Sequence, residues 1–105
     1  MTERIGTGLK ITDLRENEPL KIEVMGKSYV IILHDRKINA LDNECTHEKG
    51  PLNEGYIEGN EIICSWHSGA FNIFDGKANE NTPWVTNTVH YEIEENQSGE
   101  LELLI

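Results

Sequence analysis

Apolar and polar residues alternate with a period of two through most of the chain, and this limits the fold more than any other feature. In Leu20-Lys21-Ile22-Glu23-Val24 every second side chain is apolar, which turns one face of an extended strand toward a core and the other toward water. Similar strand candidates are Lys10 to Thr12, Tyr29 to Leu33, Ile38 to Leu41, Glu61 to Cys64, Ala70 to Phe74, Thr88 to Glu94 and Leu101 to Leu104. Turn residues separate them: Gly26-Lys27, His34-Asp35-Arg36-Lys37, Asp75-Gly76 and Asn96-Gln97-Ser98-Gly99. Many short strands at regular intervals predict an all-β sandwich or small barrel. The one helical hint, Thr12 to Glu16, is short and stops before Pro19.

A chain of 105 residues is expected to form a single domain, 1–105, with one site. Nine Lys and Arg stand against 19 Asp and Glu, a formal net charge of −10. That balance repels a nucleic-acid backbone and attracts a basic protein partner. The opening MTERIGTGLK has no basic region followed by an apolar one, and the longest apolar run is Tyr29 to Leu33. The expectation is a soluble, cytoplasmic protein without a membrane span. In such a compartment two cysteines point to metal or catalysis before a disulfide.

The exceptional segments are two polar, glycine-containing loops, about residues 42 to 55 and 64 to 70. The first carries Cys45-Thr46-His47-Glu48-Lys49-Gly50-Pro51-Leu52, the second Cys64-Ser65-Trp66-His67-Ser68-Gly69-Ala70-Phe71. The pattern is C-x-H, sixteen residues, then C-x-x-H. A thiolate and an imidazole so close together on a tight loop can face one centre, and two loops supply four ligands. Gly50 and Gly69 would let backbone N–H groups approach that centre, and Pro51 would stiffen the first loop. Two Cys and two His also satisfy tetrahedral zinc, although zinc knuckles usually pair like with like, whereas each loop here mixes the two. A cysteine nucleophile beside a histidine would need only one of the pairs. His34, in a charged turn, reads as a surface residue, and His90, on an alternating strand, as a strand residue.

With these residues in view the chain resembles the Rieske family, whose signature is C-x-H followed at a distance by C-x-x-H. The resemblance extends to Gly50-Pro51-Leu52, the Gly55 and Gly59 spacing, Phe71, the Asp75-Gly76 turn and closing strands with Val89, Tyr91 and Ile93. It implies a [2Fe–2S] cluster, with Cys45 and Cys64 on a buried iron and His47 and His67 on an outer one. It also implies three stacked antiparallel sheets with two loops clasping the cluster. Neutral imidazoles in place of two thiolates make the cluster easier to reduce than an all-cysteine one.

The resemblance further implies an electron carrier and not an enzyme. The expected partners are redox proteins, a flavin reductase as donor and a terminal oxygenase as acceptor. Two alternatives are a small subunit of a nitrite-reductase-like complex and a redox-sensing module. Trp66 and Phe71 read as packing beside the cluster. Pro83-Trp84 falls where the family has a proline-containing loop over the cluster, and it reads equally as a stop before the next strand. The acidic groups Glu92, Glu94, Glu95, Glu100 and Glu102 read as solvated strand faces. High-potential members of the family brace their loops with a second cysteine pair and donate Ser and Tyr hydroxyls to sulfur. Here only two cysteines exist, and Gly69 and Phe71 occupy the hydroxyl positions. The expected potential is therefore low in the Rieske range, roughly −150 mV.

Overall fold

Four consecutive residues, Tyr29, Val30, Ile31 and Ile32, are all buried, which a strand manages only when both its faces are covered. In the computed structural model, which describes residues 3–44, 50–65 and 68–105, these residues lie on the central strand of a layered all-β fold. The strands are β1 (Arg4–Lys10), β2 (Leu20–Val24), β3 (Lys27–His34), β4 (Lys37–Asp42), β5 (Tyr56–Glu58), β6 (Glu61–Ile63), β7 (Ala70–Asn72), β8 (His90–Glu95) and β9 (Glu100–Leu104). All pair antiparallel, six in the order β1-β9-β8-β4-β3-β2 and three in the order β5-β6-β7.

The larger sheet supplies two of three layers because β8 divides its pairing. His90 and Tyr91 pair with Leu41 and Ala40 of β4, whereas Glu92 to Glu95 pair with β9. Leu101 and Leu103 of β9 then pack with Tyr29, Ile31, Ala40 and Leu14 to form one core. The opposite face of β3 and β4 presents Val30, Ile32 and Leu41 to Leu52, Ile62, Cys64, Phe71, Ile73 and Val85, the second core, which the small sheet covers. The three-layer arrangement implied by the family resemblance is present, with hydrogen bonding continuous across two of the layers.

Two-residue hairpin loops join the strands of the middle layer. Met25-Gly26 and Asp35-Arg36 have positive φ at both central residues (53° and 80°, 51° and 62°), the conformation that matches strand twist. The strand expected at Lys10 to Thr12 lies earlier, at Arg4–Lys10, and Ile11–Asp13 is a 3-10 turn. The Asp13 carboxylate accepts the Lys10 N–H at 2.9 Å, which favours a turn over continued extension. The helical hint at Thr12 to Glu16 comes to no more than this turn. Strand β5 was not expected, being three residues long between Gly55 and Gly59.

His34 corrects the reading of a surface residue. It is buried at the end of β3, with Nδ1 2.6 Å from Asn17 Oδ1, Nε2 2.9 Å from Asn60 Oδ1, and the Phe74 ring 5.6 Å away. Asn17 precedes β2 and Asn60 lies in the β5–β6 turn, so one imidazole joins the middle layer to the small sheet. His34→Ala is expected to destabilise the fold by about 1–3 kcal/mol, since it removes a buried ring together with its hydrogen bonds to Asn17 and Asn60 and its packing on Phe74. Chemical denaturation measures this.

Candidate metal centre

Two loops leave the second core, and hydrogen bonds close the neck of each. At the first neck, Leu52 N–H donates to the Asn43 carbonyl at 2.6 Å, and Asn53 N–H donates to Asn43 Oδ1 at 2.8 Å. Asn43 Nδ2 donates to Asn53 Oδ1 at 2.9 Å, and Glu44 bridges Pro51 in antiparallel fashion. At the second neck Cys64 N–H donates to the Gly69 carbonyl at 2.8 Å. Ser65 Oγ, on the second loop, donates to the Glu54 carbonyl on the segment leaving the first, at 2.9 Å.

Just before the first loop, Asp42 is held from two sides. The Lys27 ammonium lies 3.0 Å from Asp42 Oδ1, and the Tyr91 hydroxyl donates to the same oxygen at 2.7 Å. Hydrogen bonding to Tyr91 and Asp42 outweighs desolvation and raises the Lys27 pKa, while burial raises that of Tyr91.

Of the four expected ligands, Cys64 is placed at the end of β6, fully buried among Leu52, Phe71 and Val85. Cys45, His47 and His67, with Trp66, lie outside the described residues. The described surroundings suit a bound cluster. Cys64 lies among apolar side chains, and a thiolate in such surroundings is stabilised by the positive charge of a bound metal. Two thiolates and two imidazoles are the donor set of a Rieske [2Fe–2S] cluster.

A contact that sequence reasoning missed lies over the second loop. Residues Asn79 to Val85 form successive turns, Thr82 N–H to the Asn79 carbonyl at 2.9 Å and Val85 N–H to the Thr82 carbonyl at 3.2 Å, and Asn79 N–H donates to the Ala70 carbonyl at 2.9 Å. Val85 is thereby buried against Gly69, where an added Cβ would stand 2.7 Å from Val85 Cγ1. Pro83 and Trp84 of this segment are exposed. The segment lies beside the second loop, and its contact with Gly69 is made by Val85. The only sequence signal was a valine following an unusual Pro-Trp pair. The space freed at Gly69 is taken by Val85.

A family model for the Rieske [2Fe-2S] domain matches residues 8–92. The chain belongs to this family. The ferredoxin component of the naphthalene 1,2-dioxygenase system of Pseudomonas putida is 36% identical over 78 residues, covering 74% of this chain and 75% of that protein. A solved complex of reduced oxygenase and oxidised ferredoxin in carbazole 1,9a-dioxygenase contains a chain 25% identical, with TM-score 0.78 over 90% of this chain and 99% of that one. A Mycobacterium tuberculosis protein named for the small subunit of a NADH-dependent nitrite reductase has TM-score 0.85 at 11% identity, covering 100% and 96%, which shows the shared fold. The cofactor of this Rieske domain is a [2Fe–2S] cluster. Among the described residues no helix is long and apolar enough to cross a membrane.

His90 is a strand residue, as expected, half-buried on β8 with Nε2 3.1 Å from Asn39 Oδ1. Burial holds its pKa below the usual histidine value of 6.5, against the opposing charges of Asp75 and Glu92. The unfolded chain therefore binds the proton more readily, so His90 costs stability as pH falls through about 6.5 and not above it. His90→Gln should flatten that part of the stability–pH profile, measured by denaturant titration from pH 5 to 8.

The contact with Val85 also changes what Gly69→Ser can do. Alone, the substitution should loosen the second loop and weaken cluster retention. With Val85→Ala beside it, the hydroxyl is accommodated, and the midpoint potential should rise by tens of millivolts, about 100 mV at most. Direct electrochemistry on the two variants separates these outcomes.

Proposed function

We propose that this Rieske domain is the ferredoxin of an oxygenase system. It would take single electrons from a flavin reductase and pass them to a terminal oxygenase, on a cluster held by Cys45, His47, Cys64 and His67. The observation that carries this reading is the 36% identity, over about three quarters of each chain, with a ferredoxin component of a dioxygenase system. The structural match to a chain from an oxygenase–ferredoxin complex supports it. When bound, the cluster supplies a one-electron redox couple. The chain supplies an apolar bed for Cys64, closed necks for the two loops, and Val85 against Gly69 to exclude water from that side.

In this reading the protein carries electrons and does not itself catalyse, in the cytoplasm, with basic redox partners attracted to a chain of net charge −10. The domain takes in 1–105, because β9, beyond the matched residues 8–92, pairs with β1 and β8 and completes a core with Leu101 and Leu103. A second reading is the small subunit of a nitrite-reductase-like complex, a role for which the fold shared with the mycobacterial protein would serve. Co-purification with a large catalytic chain would select it.

Purified without exposure to oxygen, the chain should hold about two iron and two acid-labile sulfide and no stoichiometric zinc. Cys45→Ser and Cys64→Ser should abolish assembly, and His47→Ala or His67→Ala should lose or convert the cluster. His90→Ala should leave its visible spectrum unchanged, and bleaching in that variant would overturn the ligand assignment. A wild-type midpoint above roughly +150 mV would exclude the oxygenase-ferredoxin role, which calls for a low-potential donor.

A further inference from the structure

One buried polar side chain at the metal centre is not a candidate ligand, yet it closes the first loop. Asn43 is 3% exposed and stands two positions before Cys45. Its Oδ1 accepts Asn53 N–H at 2.8 Å and its Nδ2 donates to Asn53 Oδ1 at 2.9 Å. Its carbonyl accepts Leu52 N–H at 2.6 Å, and its own N–H donates to the Ser28 carbonyl at 3.2 Å. Every polar group of the residue is thus committed, three bonds crossing the loop neck and one anchoring it to β3.

The far side of the neck leads directly to the second loop. Leu52 packs in the same core as Cys64, and Glu54 accepts the hydroxyl of Ser65, the residue after Cys64. Gly55, the residue after Glu54, passes so close to β6 that an added Cβ would collide with the Ile63 carbonyl oxygen. The segment 52–55 is therefore wedged against the second loop, and Asn43 ties the start of the first loop to that wedge.

We propose that Asn43 is a positioning residue that sets the separation of the two ligand loops, and so the fit of the [2Fe–2S] cluster between them. This rests on the ligand assignment proposed above. Alanine at 43 leaves the half-buried Asn53 carboxamide and N–H without their partner. Aspartate keeps the acceptor for Asn53 N–H, and a rotated Asn53 carboxamide can donate to its second oxygen, so geometry is restored while a negative charge is added.

The test compares the loaded wild type with Asn43→Ala, Asn43→Asp and His34→Ala. It reads iron release to a chelator, the electron paramagnetic resonance g-values of the reduced cluster, and the midpoint potential. His34 clasps the opposite end of β6 from Cys64 and serves as a control for general loss of stability. Asn43→Ala is expected to release iron about 10- to 100-fold faster, with shifted g-values. Asn43→Asp should stay near the wild-type rate with a lower midpoint potential, and His34→Ala should release iron at the wild-type rate. Wild-type release and g-values in Asn43→Ala overturn the proposal, and so does equal acceleration in His34→Ala. Should Asn43→Ala fail to fold, Asn53→Ala removes only the carboxamide partner, and wild-type behaviour there overturns the proposal as well. A wild type without two iron and two sulfide overturns the ligand assignment and this role together, whereas a loaded wild type with an indifferent Asn43→Ala overturns only the role.

Discussion

Everything in this fold depends on β3 being covered on both faces. A strand with Tyr29 and Ile31 on one side and Val30 and Ile32 on the other cannot sit at a surface without exposing one apolar row, so two further layers must exist. The outer face of the middle layer recruits Leu101 and Leu103 from the far end of the chain. The other face recruits Leu52, Ile62, Phe71 and Ile73, and with them Cys64. The thiol proposed as a cluster ligand thereby joins the core that holds the small sheet on. Burial of the ligand and stability of the small sheet are one packing problem.

The two loops are held by different devices, in keeping with their lengths. The second is short, and among its described residues the Cys64 N–H closes it by donating to the Gly69 carbonyl. The first is longer, and loop closure costs more entropy as length grows. There the closure uses an antiparallel bridge at Glu44 and Pro51, a backbone bond and a reciprocal carboxamide pair between Asn43 and Asn53. Lys27 and Tyr91 fix Asp42 at the edge of the same segment, so residues 42 to 44 enter the loop from a rigid base.

Much of this was legible in the sequence, and the failures have physical reasons. The alternation at Leu20–Val24 placed β2 correctly because one face is half-buried and the other wet. The apolar run from Tyr29 marked β3, although its burial on both faces hides any period of two. Strand β1 escaped because its outward positions include Gly6 and Gly8, which carry no polar side chain to complete the pattern. Gly8 has a backbone reason, a φ of 77° that favours glycine, and its N–H donates to Glu100 Oε2 at 3.0 Å; Gly6 lies beside the same carboxylate. His34 was misread because a charged turn follows it, and nothing local shows that Asn17 and Asn60 converge on its ring. At the candidate metal centre the residue types and spacing propose four ligands, of which Cys64 alone lies among the described residues, and contacts between distant segments, Val85 on Gly69 and Asn43 with Asn53, leave no local pattern.

Those contacts bear on the electronic character of the site. Glycine at 69 would have been explained by close approach of backbone to cluster, yet the space on its Cβ side is filled by a valine methyl. A methyl group donates no hydrogen bond to sulfur and keeps water from doing so, and Phe71, in the same core, offers no hydroxyl either. Fewer donors near the sulfur leave added electron density less stabilised, which lowers the potential. An overall charge of −10 acts in the same direction, since it opposes a further negative charge on reduction. Apolar cover alone would weaken the solvent's stabilisation of whichever oxidation state carries more charge. For a cluster bound by two thiolates and two neutral imidazoles, formally neutral when oxidised, that is the reduced state. In the proposed role, packing, missing hydroxyls and net charge thus all favour a strong one-electron donor; the contact of Val85 with Gly69 accounts for the packing and for the missing hydroxyl at position 69, and Phe71 for the other.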